Sequence, residues 1–285
     1  ESLYRDKAYW AEPKLDGDRR IGQFVDGRVR FTGRRISVRD GRYVEKSDNI
    51  PQLCFGPTWA TPGGPTLGQM LQDITRVREL DGTVLDGEVV LPTPGARSKD
   101  VTSIMGSLPD TAFRRQAESG VWLNWVVFDC LFFKGRDIRQ EPLEQRRLYL
   151  EKALEMWKNP YASAVPMLWG GNARPYFEQI VKDGGEGLVF KRTDATYSDH
   201  LSWVKLKKEG TQDVVVMGVE APNATSRKVD GTVSATRLME NNWIGSITFG
   251  QYRDGVLTAC GSASGMSDKI RDDVSRNPES YVGRV

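Results

Sequence analysis

Short runs of apolar and β-branched residues, separated by turn residues, fill most of the first two hundred positions. The stretch RRIGQFVDGRVRFTGRR predicts two strands joined at Asp26-Gly27, because an Asp-Gly pair between two such runs indicates a hairpin. Further buried strands are predicted by four runs: GTVLDGEVVL, WLNWVVFDCLFF, GEGLVFKR and LSWVKLKK. Within the second of these, VVFD indicates a strand that ends at Asp129.

Two helices are predicted between the strands. EPLEQRRLYLEKALEMW has Pro142 at a plausible first turn, and its apolar residues recur at helical spacing to form one buried stripe: Leu143, Leu150, Leu154 and Trp157. ARPYFEQIVKDGG carries its apolar residues on one face and ends at a glycine pair, which is a stop signal. Antiparallel strands with interspersed helices predict an α+β fold.

The pattern changes after Lys208. GTQDVVVMGVEA, WIGSITFGQY and VLTACGSAS predict strands, MSDKIRDDVSRN predicts a short helix, and SYVGRV predicts a last strand. We therefore divide the chain at Glu209-Gly210 into domains 1–208 and 209–285, the second being a small β-barrel. A closed five-stranded barrel needs more chain after Val285, so we expect this domain to be truncated.

Composition excludes only a few classes of function. The 285 residues include 39% hydrophobic and 27% charged residues, and a net charge of +2 neither demands nor excludes a nucleic-acid partner. Three widely spaced cysteines favour a reducing, intracellular compartment, and the single histidine, His200, excludes mechanisms built on histidine pairs. No apolar run approaches the ~18 residues of a membrane span and no signal peptide opens the chain, so we expect neither membrane association nor secretion.

The stretch EPKLDGDRR places Lys14 two residues before an Asp-Gly turn. Taken alone, Lys-x-Asp-Gly is a common strand-to-turn sequence, and a solvated loop explains it. Four other stretches add polar or aromatic groups to strands: Glu88 in LDGEVV, Phe128 in VVFD, Glu186 and Lys191 in EGLVFK, and Lys205 and Lys207 in WVKLK. Each of these has an ordinary structural explanation as well.

Together, these groups predict a site for a nucleoside triphosphate. Two carboxylates can hold a divalent metal that bridges phosphates. Lys205 and Lys207 are two residues apart on one strand, so both point to the same face, where they can neutralise phosphate and lower the pKa of a third lysine. An aromatic ring can stack on a base.

In their order along the chain, these stretches resemble the nucleotidyltransferase motif series of ATP-dependent DNA ligases. The resemblance runs from Trp10 to Lys208, and DVTSIMGS and DATYSDHLSW add to it. It implies an adenylation domain followed by an OB-fold domain. It also implies two cofactors: ATP, which reacts to form a lysyl-AMP, and a divalent metal ion, Mg²⁺ or Mn²⁺. The implied substrate is nicked double-stranded DNA, in DNA repair, replication or recombination. We expect a monomer in the cytoplasm, nucleoid or nucleus, or one encoded by a phage.

The resemblance also implies a role for each matching residue. Lys14 is the nucleophile that takes AMP from ATP. The nucleotide contacts that it implies are Glu12 at the adenine edge, Phe128 on the base, Arg19 and Glu88 at the ribose or phosphates, Arg34 at a phosphate, Lys205 and Lys207 at the α-phosphate, and Lys191 nearby. Glu88 and Glu186 are the implied metal ligands. Ligases of this type often carry an arginine before the Trp-x-Lys-x-Lys strand, where this chain has Asp199 and His200.

Three alternatives stay open. An mRNA capping guanylyltransferase uses the same lysine chemistry with GTP, but Glu12-Pro-Lys14 and the Trp-Val-Lys-Leu-Lys strand favour a DNA ligase. An RNA ligase is less favoured because Arg19 follows the Asp-Gly turn. A non-catalytic nucleic-acid-binding relative with a decayed nucleotide site is also possible. It would not be expected to keep all five of the residues that the chemistry needs: Lys14, Glu88, Glu186, Lys205 and Lys207. The first hairpin is also rich in arginine: Arg19, Arg20, Arg28, Arg30, Arg34, Arg35 and Arg39. These side chains form either a solvated face of the hairpin or a surface that follows the phosphates of DNA.

Overall fold

The computed structural model of the chain describes residues 2–37, 41–169, 171–199, 202–208, 213–223, 225–227 and 233–285. Contacts between residues divide the chain into two units, Glu1–Lys208 and Glu209–Val285. Four residues named above lie outside the described residues: Arg39, His200, Glu209 and Gly210.

Strands and helices alternate along the first unit. Its strands are β1 (Tyr9–Pro13), β2 (Asp18–Val25), β3 (Arg28–Ile36), β4 (Tyr43–Glu45), β5 (Val84–Val90), β6 (Asn124–Phe133), β7 (Arg136–Asp137), β8 (Ala162–Ala164), β9 (Leu168–Trp169), β10 (Gly187–Arg192) and β11 (Trp203–Lys207). Its helices are α1 (Pro51–Cys54), α2 (Leu67–Arg78), α3 (Ser98–Met105), α4 (Pro109–Ser119), α5 (Leu143–Trp157) and α6 (Ala173–Lys182).

Two sheets organise the described part of the first unit. Seven strands form one sheet in the order β4-β3-β2-β5-β6-β7, with β8 beside β6, and four form the other in the order β11-β10-β1-β9. Every pairing is antiparallel except that of β6 with β8. The predicted α+β class is therefore confirmed.

The predicted hairpin joins β2 to β3. Asp26 and Gly27 have φ angles of 53° and 76°, so both central residues lie in the left-handed region that a type I′ turn requires. Such a turn matches the twist of the two strands and fixes their register. Arg19 and its neighbours are thereby placed on β2, beside β5.

The larger sheet packs against α5, and their shared core is aromatic. Trp157, at the end of α5, packs edge-to-face on Phe24 and Trp125 of the sheet, with ring centroids 5.1 and 6.2 Å apart. The predicted stripe of α5 faces this core, with Leu150 fully buried and Leu154 partly buried. Pro142 is the residue immediately before α5.

The prediction that β6 ends at Asp129 is wrong, because the strand continues to Phe133. The carboxylate of Asp129 can lie in the middle of this buried strand because a cation neutralises its charge. Arg146 of α5 donates to both carboxylate oxygens of Asp129 at 2.7 and 2.9 Å, and both side chains are fully buried.

The second unit has a sheet in the order β12-β15-β16 and a separate β13-β14 ribbon. Its strands are β12 (Val215–Glu220), β13 (Thr225–Arg227), β14 (Val233–Ala235), β15 (Ser246–Arg253) and β16 (Val256–Ala263), and its helices are α7 (Arg237–Glu240) and α8 (Asp268–Arg276). Within the described stretches of both units, no helix is long and apolar enough to cross a membrane.

The strand predicted over SYVGRV is wrong. A 3-10 helix occupies Pro278–Ser280 and a turn follows it. Pro278 favours the helical turn, and Gly283 at a φ of 84° cannot continue an extended strand. Only two backbone hydrogen bonds tie this segment to β12: Gly283 donates to Val216 at 2.8 Å, and Val216 donates to Arg284 at 2.9 Å.

Candidate active site

Lys14 lies just after β1, opposite the start of β10. Its backbone N–H donates to the carbonyl of Gly187 at 2.8 Å, and its ammonium forms an ion pair with Glu186. Gly187 has a φ of 141°, and a Cβ there would collide with the carbonyl oxygen of Leu206. Glycine is therefore needed where β10 begins, and this turn brings Glu186 to the nucleophile candidate.

The pKa of Lys14 is lowered on balance, although the carboxylates of Asp16 and Glu88 act in the opposite direction. Burial lowers the pKa of Lys14, and the positive charges of Lys207 and Lys205 lower it further. The two lysines alternate with Leu206 on β11, so they share a face as predicted, and Lys207 lies 4.0 Å from Glu186. A neutral amine is the form that can attack phosphorus.

A cavity of about 190 Å³ opens beside Lys14. The residues that line it come from β1, β2, β3, β5, β6, β10 and β11 and the loops next to them: Glu12, Pro13, Lys14, Leu15, Arg19, Arg34, Glu88, Phe128, Val165, Val189, Lys191, Trp203 and Lys205. The structure thus brings eight of the ten predicted site residues to one cavity. Glu186 and Lys207 are not in its lining, but Glu186 contacts Lys14 directly.

Two aromatic rings form one wall of the cavity. Phe128 and Trp203 pack edge-to-face with centroids 5.7 Å apart, and the guanidinium of Arg19 lies 5.4 Å from the Phe128 centroid. A flat apolar ring beside a cation suits a base with a phosphate tail. Sequence reasoning missed the role of Trp203, although its position two residues before Lys205 puts both on one face of β11.

Arg19 is fixed by a buried carboxylate. Its guanidinium donates to both oxygens of Asp86 at 3.0 and 2.5 Å, and the hydroxyl of Tyr197 donates to Asp86 at 2.8 Å. Asp86 is fully buried, and its hydrogen bonds raise the pKa of Arg19. Asp86 and Tyr197 were not predicted as site residues, though Asp86 lies two residues before Glu88 and therefore on the same face of β5.

Glu88 is a half-buried carboxylate next to other acidic groups. Burial, with a further contribution from Asp18, raises the pKa of Glu88 to about 7, against the opposing effects of Arg19 and the N–H of Gly17. Its negative charge also acts on Lys14. Glu88 can therefore change its protonation state near neutral pH.

The predicted metal ligands suit an ion that arrives with the nucleotide. In the parts of the chain that the structure describes, no group of three or more His, Cys, Asp or Glu side chains is arranged to hold a metal. Glu186 contacts Lys14, and Glu88 acts on the same lysine through its charge. Mg²⁺ commonly takes one or two carboxylates and completes its coordination with substrate phosphates and water, so these two residues fit it.

The arginines of the first hairpin are partly neutralised. Arg19 pairs with Asp86, Arg20 with Asp18, and Arg30 with Glu45 at 2.9 Å. Arg34 is exposed at the cavity. The net positive charge on this face is therefore smaller than the number of arginines indicates.

Comparison with known proteins assigns the chain to a family. The model of the ATP-dependent DNA ligase domain matches residues 2–207, which is most of the chain. The chain belongs to the ATP-dependent DNA ligase domain family. The motif resemblance that the sequence carries is thus confirmed.

Two relatives of this ligase domain are much longer proteins. "Multifunctional non-homologous end joining protein LigD" of Pseudomonas aeruginosa is 29% identical over 228 residues, which cover 77% of this chain and 22% of that protein. "Probable DNA ligase" of Nocardia farcinica is 30% identical over 227 residues, which cover 70% of this chain and 40% of that protein. The chain thus spans well under two thirds of either.

A solved structure shares the fold. The structure is reported for Lig E DNA ligases in a study of DNA binding with a minimal scaffold. It is similar to this chain with a TM-score of 0.51 and 21% identity, over 94% of this chain and 81% of that one. The predicted fold, an adenylation domain with an OB-fold unit, is confirmed at this level.

Proposed function

We propose that this ligase domain seals nicks in duplex DNA through a covalent lysyl-AMP formed on Lys14. The observation that carries the proposal is the position of the Lys14 amine. It lies in the lining of a cavity whose wall offers an aromatic ring, and lysines on β11 lower its pKa. This arrangement suits attack on the α-phosphorus of a nucleotide whose base stacks on Phe128.

The first step is in-line phosphoryl transfer. The neutral amine of Lys14 forms a bond to the α-phosphorus while the bond from phosphorus to the pyrophosphate oxygen breaks, and the amine proton passes to solvent. Lys14 must first exchange its contact with Glu186 for the phosphate. Lys205, in the cavity lining, neutralises charge that develops on the phosphate oxygens. Mg²⁺ held by Glu88 and Glu186 would supply further charge neutralisation.

The later steps concern the DNA. AMP passes from Lys14 to the 5′-phosphate at a nick, and the adjacent 3′-hydroxyl displaces AMP to close the strand. The family match and the relatives named as DNA ligases support DNA rather than a capped or ligated RNA as the substrate. We also propose that the protein acts as a monomer inside the cell, where ATP and DNA are found together.

Intact-mass spectrometry tests the first step. The protein is incubated with Mg²⁺ and either ATP or GTP, as wild type, as Lys14→Ala and as the exposed-lysine control Lys99→Ala. We expect a mass increase of one AMP with ATP in the wild type and the control, and none in Lys14→Ala. An adduct that persists in Lys14→Ala, or a GMP adduct in place of AMP, would refute this assignment.

Nick sealing tests the later steps separately. A labelled duplex with one nick is incubated with wild type and ATP, and a pre-adenylated nick is incubated with wild type alone. We expect sealed product from both substrates. If the protein forms the AMP adduct but seals neither substrate, the lysyl-AMP chemistry is supported and the assignment of nicked DNA as the substrate is refuted.

A further inference from the structure

Tyr197 lies in the segment that joins β10 to β11, and this segment is tied to the start of α5. The first amides of a helix have no acceptor within it. In α5 these are the amides of Leu143 and Glu144, which donate to the carbonyls of Ala195 and Thr193 at 3.0 Å each. The segment therefore caps the helix and is held in place just before Tyr197.

Two further contacts hold Tyr197 itself. Its backbone N–H donates to the carbonyl of Arg139 at 2.9 Å, and its ring centroid lies 5.9 Å from the guanidinium carbon of Arg146. Arg146 is fully buried and paired with Asp129, so it is a fixed support for the ring. These contacts set the place of the hydroxyl group at the far end of the ring.

The hydroxyl group of Tyr197 contacts both members of the Arg19–Asp86 ion pair. It donates to Asp86 at 2.8 Å and accepts from Nη2 of Arg19 at 3.2 Å. Burial and the charge of Asp86 raise the pKa of Tyr197, so the hydroxyl group keeps its proton at neutral pH. Asp86 and Arg19 belong to the larger sheet, whereas Tyr197 follows a strand of the smaller one, so this contact joins the two sheets at the site.

The donors of Arg19 are divided between the protein and the cavity. A guanidinium has five N–H groups. Nε donates to Asp86, and Nη2 donates to Asp86 and to Tyr197. Among the residues that the structure describes, Nη1 has no acceptor, and Arg19 lines the cavity beside Lys14. The two N–H groups of Nη1 are therefore available to a phosphate.

Arg19 also lies where two cavities adjoin. The second cavity has a volume of about 350 Å³ and is lined by Arg19, Tyr197, Asp199, Trp203 and Lys205. Arg19, Trp203 and Lys205 line the first cavity as well, whereas Tyr197 does not. An effect of Tyr197 on a nucleotide in the first cavity is therefore expected to pass through Arg19.

We propose that Tyr197 is a positioning residue whose hydroxyl group holds the guanidinium of Arg19 in the orientation that presents Nη1 to the phosphates of the nucleotide during the transfer of AMP to Lys14. Without this hydroxyl group, Asp86 still holds one edge of the guanidinium. The positive charge then stays at the cavity, but its orientation is less restricted. The proposal rests on the nucleotide site of the proposed function.

The rate of AMP transfer and the affinity for ATP separate positioning from binding. Adduct formation is followed by intact mass over a range of ATP concentrations with Mg²⁺, and the dissociation constant for ATP is measured by calorimetry in a Lys14→Ala background. In Tyr197→Phe, we expect the rate constant at saturating ATP to fall about tenfold, because a small misplacement of a group is costly in the transition state. The dissociation constant should change by about twofold or less, because the charge of Arg19 remains.

Tyr149→Phe is the matched control. The hydroxyl group of Tyr149 also accepts a hydrogen bond from an arginine, Arg136, at 3.3 Å, but neither residue lines either cavity. We expect this control to keep the wild-type rate constant. Tyr197→Phe retains the ring and its packing against Arg146, so we expect it to fold, and thermal unfolding checks this for every variant.

A double variant tests whether Tyr197 acts through Arg19. Arg19→Gln removes the guanidinium, so adding Tyr197→Phe to it should cause little further loss of rate. If Arg19→Gln does not fold, Arg19→Lys, which keeps a positive charge beside Asp86, takes its place in the comparison.

Three outcomes would overturn the proposal. The first is a folded Tyr197→Phe with the wild-type rate constant at saturating ATP. The second is a loss that appears in the dissociation constant instead of the rate constant, and the third is an additive loss in the double variant. The mass measurement on the wild type is separate: an absent AMP adduct refutes the proposed function and this proposal with it, whereas an unchanged rate in Tyr197→Phe refutes only the role of Tyr197.

Discussion

Glu88→Gln is expected to stabilise the folded protein at neutral and alkaline pH while it weakens adenylation. Glu88 is half-buried beside Asp18, and its pKa is raised to about 7 from a usual value of 4.5. The folded state therefore binds the Glu88 proton more tightly than the unfolded state does. Glutamine resembles the protonated form in shape, still accepts the hydrogen bond from Gly17, and does not titrate.

The size of the effect follows from the two pKa values. In the wild type, protonated Glu88 contributes to the free energy of unfolding. This contribution is fully present below pH 4.5, is lost as the pH rises to about 7, and does not change further above that pH. The full difference corresponds to about 3 kcal/mol, and partial solvent contact reduces it to about 2 kcal/mol. The stability advantage of Glu88→Gln should therefore be small at pH 5 and reach its maximum above pH 7.

Urea denaturation at several pH values between 5 and 8.5 measures this advantage. Groups that titrate equally in both proteins cancel in the difference between them. Glu155→Gln, a substitution of an exposed glutamate on α5, is the matched control and should show no gap that grows with pH. A difference between Glu88→Gln and wild type that stays flat or shrinks as the pH rises would refute the reasoning.

Three further predictions address the nucleophile, its support and the DNA. Lys14→Arg should fold normally but show no AMP adduct by mass, because arginine stays protonated; an adduct would contradict the role of Lys14. Asp86→Asn should lower the free energy of unfolding in urea by about 3 kcal/mol, because it weakens the buried contacts of Arg19, whereas Tyr197→Phe should lower it by about 1 kcal/mol; equal losses would argue against this order. The affinity for nicked duplex should fall steeply as salt rises, and a flat response between low and moderate salt would exclude a phosphate-following surface.

Much of the fold could be predicted because local patterns and tertiary structure agree. The Asp26-Gly27 turn, the stripe of α5 and the alternation of Lys205 and Lys207 each follow from the geometry of one element. The prediction of a strand over SYVGRV is wrong. A valine next to a tyrosine indicates a strand, but Pro278 favours a helical turn and Gly283 adopts the left-handed conformation. Strand propensity is a weaker determinant than backbone restriction.

The contacts within the site could not be predicted, because they join residues far apart in the sequence. Glu186 is 172 positions from Lys14, and Tyr197 is 111 positions from Asp86. The motif order predicted which residues share the cavity, but which carboxylate pairs with which cation depends on strand register. Glu12 meets Lys191 rather than Lys14 only because of the pairing of β1 with β10.

Three lysines on the smaller sheet and Lys14, which follows β1 directly, have different chemical surroundings because their burial and their neighbours differ. Lys191, on β10, is enclosed between Glu12 and two rings, so it serves as a fixed positive charge. Lys205 and Lys207 lie on the exposed strand β11, where their side chains can meet a phosphate. Lys14 is partly buried and surrounded by their charges, so its pKa falls and it becomes the amine best able to react. Under the proposed function, the chemical role expected of each of these lysines, as nucleophile, fixed charge or phosphate ligand, follows from its depth and its nearest carboxylate.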